Sequence, residues 1–114
     1  MTERARQRLL DALDACETIV SFVQGKTLDD YEDDVQLQLP TERLLTIIGE
    51  ACSQAVRAQP DLGSRIPDLQ KVIGMRNRII HGYHLVDDEI VWEAVTDRIP
   101  ELLVTLKHLT MSLE

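Results

Sequence analysis

The sequence predicts an all-α, up-and-down helical bundle of four main helices plus a short one, and three observations carry that prediction. Apolar residues recur at three- and four-residue steps through most of the chain. No segment shows the sustained two-residue alternation of a half-buried strand. Aromatic residues make up only 4% of the 114, so the core must be built from Leu, Ile, Val and Ala, which suits packed helices. This length buries one core and is too short for two, so residues 1–114 are expected to form a single domain.

The first helix is expected from about Glu3 to Gln24, with Ala5, Leu9, Ala12, Leu13, Cys16, Ile19, Val20 and Val23 on one face. Gly25 stops it, as glycine commonly does beyond a helix C-terminus. Thr27 is placed to cap a short helix through Asp29, Asp30, Tyr31 and Glu32. A third helix covers roughly Thr41 to Ala58, its stripe built from Leu44, Leu45, Ile47, Ile48, Ala51, Cys52, Ala55 and Val56. Pro40 either occupies its first turn or kinks a longer helix that begins near Asp33. The turn residues of 60–64 predict a loop. The fourth helix should begin near Ile66-Pro67-Asp68 and run to about Ile80, with Leu69, Val72, Ile73, Ile79 and Ile80 in the core and Gly82 ending it. The fifth starts at Asp87-Asp88-Glu89 and continues with Ile90, Val91, Val95, Ile99, Leu102, Leu103, Leu106 and Leu109. Pro100 must kink or break it near Arg98.

Composition removes several classes of function. No apolar run reaches the 18 or so residues of a membrane span, and the charged N-terminus lacks the pattern of a secretory signal. Cys16 and Cys52 each fall within an apolar stripe and read as small buried hydrophobes in a reducing compartment, so a cytoplasmic location is expected. Two cysteines and three histidines without paired spacing give no zinc signature. Asp29-Asp30 and Glu32-Asp33-Asp34 lack the ligand order and glycine of a calcium loop and read as solvated acids, so no metal is expected. A net charge of −8 argues against general nucleic-acid binding. From Leu69 to Val86, however, Lys71, Arg76, Arg78, His81 and His84 occur with no acid among them. An acidic protein therefore carries one basic island.

That island has the residue types of phosphodiester chemistry. An imidazole such as that of His81 can take a proton from a ribose 2′-hydroxyl or return one. Arg76 stays charged, and its planar fork of donors can hold phosphate oxygens as charge builds in the transition state. Asn77 can bond the phosphate or orient the imidazole, Tyr83 offers a hydroxyl just beyond the helix end, and His84 is a second candidate base. Geometry is the difficulty, because five residues of ideal helix set Arg76 and His81 about 140° apart. The reach of arginine, a distorted last turn before Gly82, or a cleft between two subunits can each resolve it. In the competing reading, His81 meets the negative end of the helix dipole, Gly82 is a C-cap, and the arginines are solvated.

The segment Arg76-Asn77-Arg78-Ile79-Ile80-His81-Gly82-Tyr83 resembles the Arg-x-x-x-x-His-x-Tyr motif of the HepT group within the HEPN superfamily, including the polar residue after the arginine. Ile47-Ile48-Gly49-Glu50-Ala51 resembles a stretch of that family's preceding helix, and Val86-Asp87-Asp88-Glu89-Ile90-Val91-Trp92 the start of its last one. The resemblance implies a HEPN-like helical domain that pairs as a homodimer, or assembles further, with the motif lining a cleft between subunits. It implies a metal-independent endoribonuclease toxin without a cofactor, in which Arg76 and His81 are catalytic and Asn77, Glu50 and Arg43 support them. Tyr83 then matches the tyrosine that a partner antitoxin, a minimal nucleotidyltransferase, modifies with AMP. Added phosphate there would repel RNA beside Arg76 and His81. Glu50 and Arg43 also have a plainer reading as a surface ion pair. Two other functions fit the same residues: a non-catalytic subunit that binds nucleotide for a nucleotidyltransferase, and a structural dimer whose motif serves only the interface.

Overall fold

The computed structural model describes residues 1–81 and 87–111, and within them the protein is an all-α HEPN-like bundle. Helix α1 (Glu3–Val23) begins where the Thr2 side chain accepts a hydrogen bond from the Ala5 amide. It ends before Gly25, whose φ of +79° lies in the left-handed region that a glycine enters without penalty. Helix α2 (Leu28–Glu32) carries a reciprocal cap: Thr27 accepts from the Asp30 amide while the Asp30 carboxylate accepts from the Thr27 amide. The carboxyl group of Asp30 is held below its ordinary range by those bonds from Thr27. Two of the acids in this stretch are thus helix caps, since Asp34 caps the next helix at the Gln36 amide.

Helix α3 (Val35–Ala58) is the longer of the two helices that the position of Pro40 allowed, with the proline in its interior. Burial of Leu37 and Thr41 explains the extension, because the early turns can dock only if the helix is already formed there. Residues 60–64, expected as a loop, wind into a short 3₁₀ turn (Pro60–Ser64) that buries Leu62. Helix α4 (Leu69–Ile80) starts later than Ile66. Asp68 takes a left-handed φ of 58°, which separates the buried Ile66 from the helix and lets both dock on the core. Asp87 caps α5 (Asp88–Glu93) through the Glu89 amide. A π-helical turn (Ala94–Arg98) then leads into α6 (Ile99–Met111).

The π turn is the physical answer to Pro100. In a regular α-helix the proline ring would strike the Thr96 carbonyl and offer it no N–H. Widening the preceding turn, with the Ile99 amide bonding to the Ala94 carbonyl, removes the conflict without breaking the rod.

One contiguous core joins α1, α3, α4 and the α5–α6 rod. The α1–α3 contact is rich in small side chains (Ala5, Ala12, Ala15, Cys16, Ala51, Cys52, Ala55), which lets two long helices approach closely. Thr2 donates its amide to the Gln59 side chain at 2.8 Å, tying the start of α1 to the end of α3 and fixing them antiparallel. Both cysteines are free and buried, and burial pushes the Cys52 thiol up to about 12. Tyr31 is fully buried and stacks on half-buried Trp92 with ring centroids 5.3 Å apart. Ile80, expected in the core, is 49% exposed, and Ile90, counted among the apolar residues of the last helix, is 42% exposed. Each sits in a terminal turn of its helix. No described helix is long and apolar enough to cross a membrane.

Candidate functional site

The site is built where α4 crosses α3. Gly49 lies buried at the crossing, and a Cβ placed on it would stand 2.5 Å from the Cβ of Arg76 and 2.9 Å from its Cγ. Only glycine leaves room for the Arg76 stem to lie directly on the α3 backbone. From that seat the Arg76 side chain, 17% exposed, turns back along α3, and its Nη1 donates to the Glu50 Oε1 at 2.7 Å. Its Nε is buried without an acceptor among the described residues. Glu50 therefore fixes one prong of the guanidinium and leaves further donors of the fork unused.

His81 is placed differently. It is the C-cap of α4 with φ −80° and ψ 1°, and its amide still bonds to the Asn77 carbonyl at 3.1 Å. That amide is shared with the Ile79 carbonyl, and with ψ near 0° the backbone leaves the helical conformation at this residue. Ideal helix geometry sets the two positions about 140° apart; Arg76 turns into the α3–α4 seam while His81 is exposed at the helix end. Asn77 and Arg78 are exposed on α4 as well. Gly82, Tyr83 and His84 lie outside the described residues.

Of the two supporting residues on α3, Glu50 meets Arg76, and Arg43 does not. Arg43 stands two turns earlier on the same face, exposed, and makes no ion pair among the described residues. The plainer reading of Arg43 and Glu50 as partners in one surface pair is thereby replaced by a bridge between helices. No group of three or more metal-ligating side chains occurs among the described residues.

Residues 12–109 match the family described as Ribonuclease HepT-like. The chain belongs to this HepT-like ribonuclease family. It is therefore an endoribonuclease by family, acting on RNA. It is 33% identical over 104 residues to a provisionally named RNase of Caldanaerobacter subterraneus subsp. tengcongensis, covering 91% of this chain and 92% of the relative. It is 31% identical over 102 residues to a protein of Thermococcus cleftensis named probable ribonuclease HepT, covering 90% and 92%. A provisionally named RNase of Methanocaldococcus jannaschii is 26% identical over 108 residues, covering 93% and 87%. No solved structure matches.

In this HepT-like chain the residue that motif reading passed over is Gly49. A glycine in the middle of a helix sacrifices roughly 1 kcal/mol of helix propensity against alanine, which is itself a signal of close approach by another element. What approaches it was not readable, because Arg76 is 27 positions later and the rotation of α4 about its axis is a tertiary quantity.

Proposed function

We propose that this HepT-like protein is a metal-independent endoribonuclease toxin whose working site lies in the cleft of a homodimer. Arg76 holds the scissile phosphate and His81 moves the proton. The observation that carries the reading is the divergence of the two side chains. Arg76 is seated in the α3–α4 seam by Gly49 and Glu50, while His81 is exposed at the C-cap of the same helix, five residues on. Two copies related by a two-fold axis set the arginine of one subunit against the histidine of the other.

In the proposed reaction an imidazole accepts the proton of a ribose 2′-hydroxyl, and the 2′-oxygen forms a bond to phosphorus. The bond from phosphorus to the 5′-oxygen breaks, and that oxygen takes up a proton from an imidazolium. The products are a 2′,3′-cyclic phosphate and a 5′-hydroxyl. The fork of Arg76 stabilises the charge on the non-bridging oxygens. Asn77, beside it on the exposed face of α4, is proposed to bond the substrate, and Arg43 to supply charge near the cleft. Control is assigned to Tyr83: a minimal nucleotidyltransferase antitoxin adds AMP there and places phosphate beside the motif.

The test is RNA cleavage by purified protein in EDTA, with product ends identified. Wild type should cut and leave cyclic phosphate ends. His81→Ala and Arg76→Ala should each lose at least about 100-fold in rate with unchanged helical circular dichroism. Cleavage that survives His81→Ala, or that EDTA abolishes, would overturn the proposal.

A further inference from the structure

Two adjoining depressions run along the seam between α1 and α3, and arginines dominate their charge. One is lined by Arg4, Arg8, Gln54 and Arg57, the other by Arg8, Arg43, Gln54 and Glu50 among others. Sharing Arg8 and Gln54, they form one groove. On α3 the residues 43, 50, 54 and 57 fall at steps of seven, four and three, which keeps them on one face. Arg43 and Arg57 are 14 residues apart, or about 21 Å along the helix. Glu50, which holds Arg76, stands midway between them.

Folding does not account for this placement. Arg4 sits in the first turn of α1, where the helix dipole disfavours a cation, and Arg8 one turn later adds like-charge repulsion. Arg57 does suit the last turn of α3, but it shares a depression with Arg4, so that contact is repulsive too. Arg4, Arg43 and Arg57 make no ion pair among the described residues, and the exposed pair of Arg8 with Asp11 at 3.7 Å contributes little. A protein of net charge −8 has acids available to neutralise such a stripe, yet the groove holds four arginines against Asp11 and Glu50. An arrangement that costs the apo fold stability and concentrates cations in a groove fits a polyanion laid along it.

We infer that the α1–α3 seam is a track for the RNA backbone, with Arg4, Arg8 and Arg57 on one side of Arg76 and Arg43 on the other. The inference rests on the proposed ribonuclease site and adds how the substrate reaches it. A track of about 21 Å follows the backbone of a single strand over several nucleotides. It makes the enzyme prefer a single strand longer than the bond it cuts, without reading bases.

The experiment compares wild type, Arg4→Gln, Arg57→Gln and their double variant, with Lys26→Gln as a change of equal charge off the groove. Substrates are a trinucleotide and a single strand of about 20 nucleotides, which overruns the track. For the long RNA, KM should rise about threefold or more per arginine removed while kcat holds. The slope of log affinity against log salt should fall by about 0.7 per arginine. Kinetics on the trinucleotide and with Lys26→Gln should stay at wild-type values. An unchanged KM and salt slope for the long RNA would overturn the track, and would be the result if the groove takes an acidic protein segment. A lower oligomer mass in Arg57→Gln would overturn it as well, by making the groove a subunit contact. Neither result touches the ribonuclease reading, which stands or falls on His81-dependent cleavage of the trinucleotide.

Discussion

Gly49 does as much to set the Arg76 position as Glu50 does, and by a harder interaction. A methyl group at 49 would meet the Arg76 stem at 2.5 Å, and neither atom is the far end of a flexible chain. In Gly49→Ala either α4 lifts off α3 or Arg76 leaves its seat. Overpacking of this kind costs about 1–3 kcal/mol, set against a gain of up to about 1 kcal/mol in helix propensity. The expected net is a loss of up to about 2 kcal/mol in urea denaturation, with a fall in RNA cleavage larger than the change in folded fraction explains. A variant as stable and as active as wild type would show that the close approach is not needed. The same position illustrates where motif reading stops. Arg76, Asn77, His81 and Tyr83 could be singled out because their spacing is local. The pairing of Arg76 with Glu50 joins residues 26 positions apart, and only the packing of α4 on α3 decides that Glu50, not Arg43, meets the guanidinium.

Prolines test the helices themselves. Pro40 is exposed in the interior of α3, where it withholds an N–H from the Gln36 carbonyl and strains the turn below it. The helix passes through because Asp34 caps it and Leu37 and Thr41 dock it from both sides of the defect. Replacing Pro40 by Ala should stabilise the protein by about 1–3 kcal/mol, read from the denaturation midpoint at unchanged slope. No gain would mean that the early turns of α3 are not helical in solution. The existence of the α-helices was readable, since caps at Thr27 and Asp87, the stop at Gly25 and the aliphatic stripes are local features, whereas the 3₁₀ turn at Pro60–Ser64 was read as a loop. Boundaries were not. Whether Pro40 headed α3 or interrupted it depended on burial of Leu37, and the start of α4 depended on Asp68 entering a left-handed conformation. The conflict at Pro100 was visible, but its solution by a π turn instead of a break follows from core packing on both sides, at Val91 and Val95 and at Ile99 and Leu102.

At the scale of the molecule the fold is a slab, 43 × 28 × 19 Å, with α4 laid mainly on α3 and the outer face of α4 exposed. Asn77, Arg78, the 49%-exposed Ile80 and the C-cap His81 are the exposed residues of the last turn of α4. If the site is shared between two copies, each cleft takes Arg76 from one subunit and His81 from the other. Co-expressing Arg76→Ala chains with His81→Ala chains under different affinity tags then gives a decisive result. Each homodimer lacks one half of both its sites and should be inactive. A heterodimer retains one site in which the intact Arg76 of the His81→Ala chain faces the intact His81 of the Arg76→Ala chain. Isolated through both tags, it should cut RNA at about half the wild-type rate per dimer, since one cleft of two is complete. A site contained within one chain predicts no recovery at all, because every chain in the mixture is defective. Recovery would therefore assign the two residues to opposite subunits, and an inactive heterodimer would return the separation to one chain, to the reach of Arg76 or the shape of the last turn of α4.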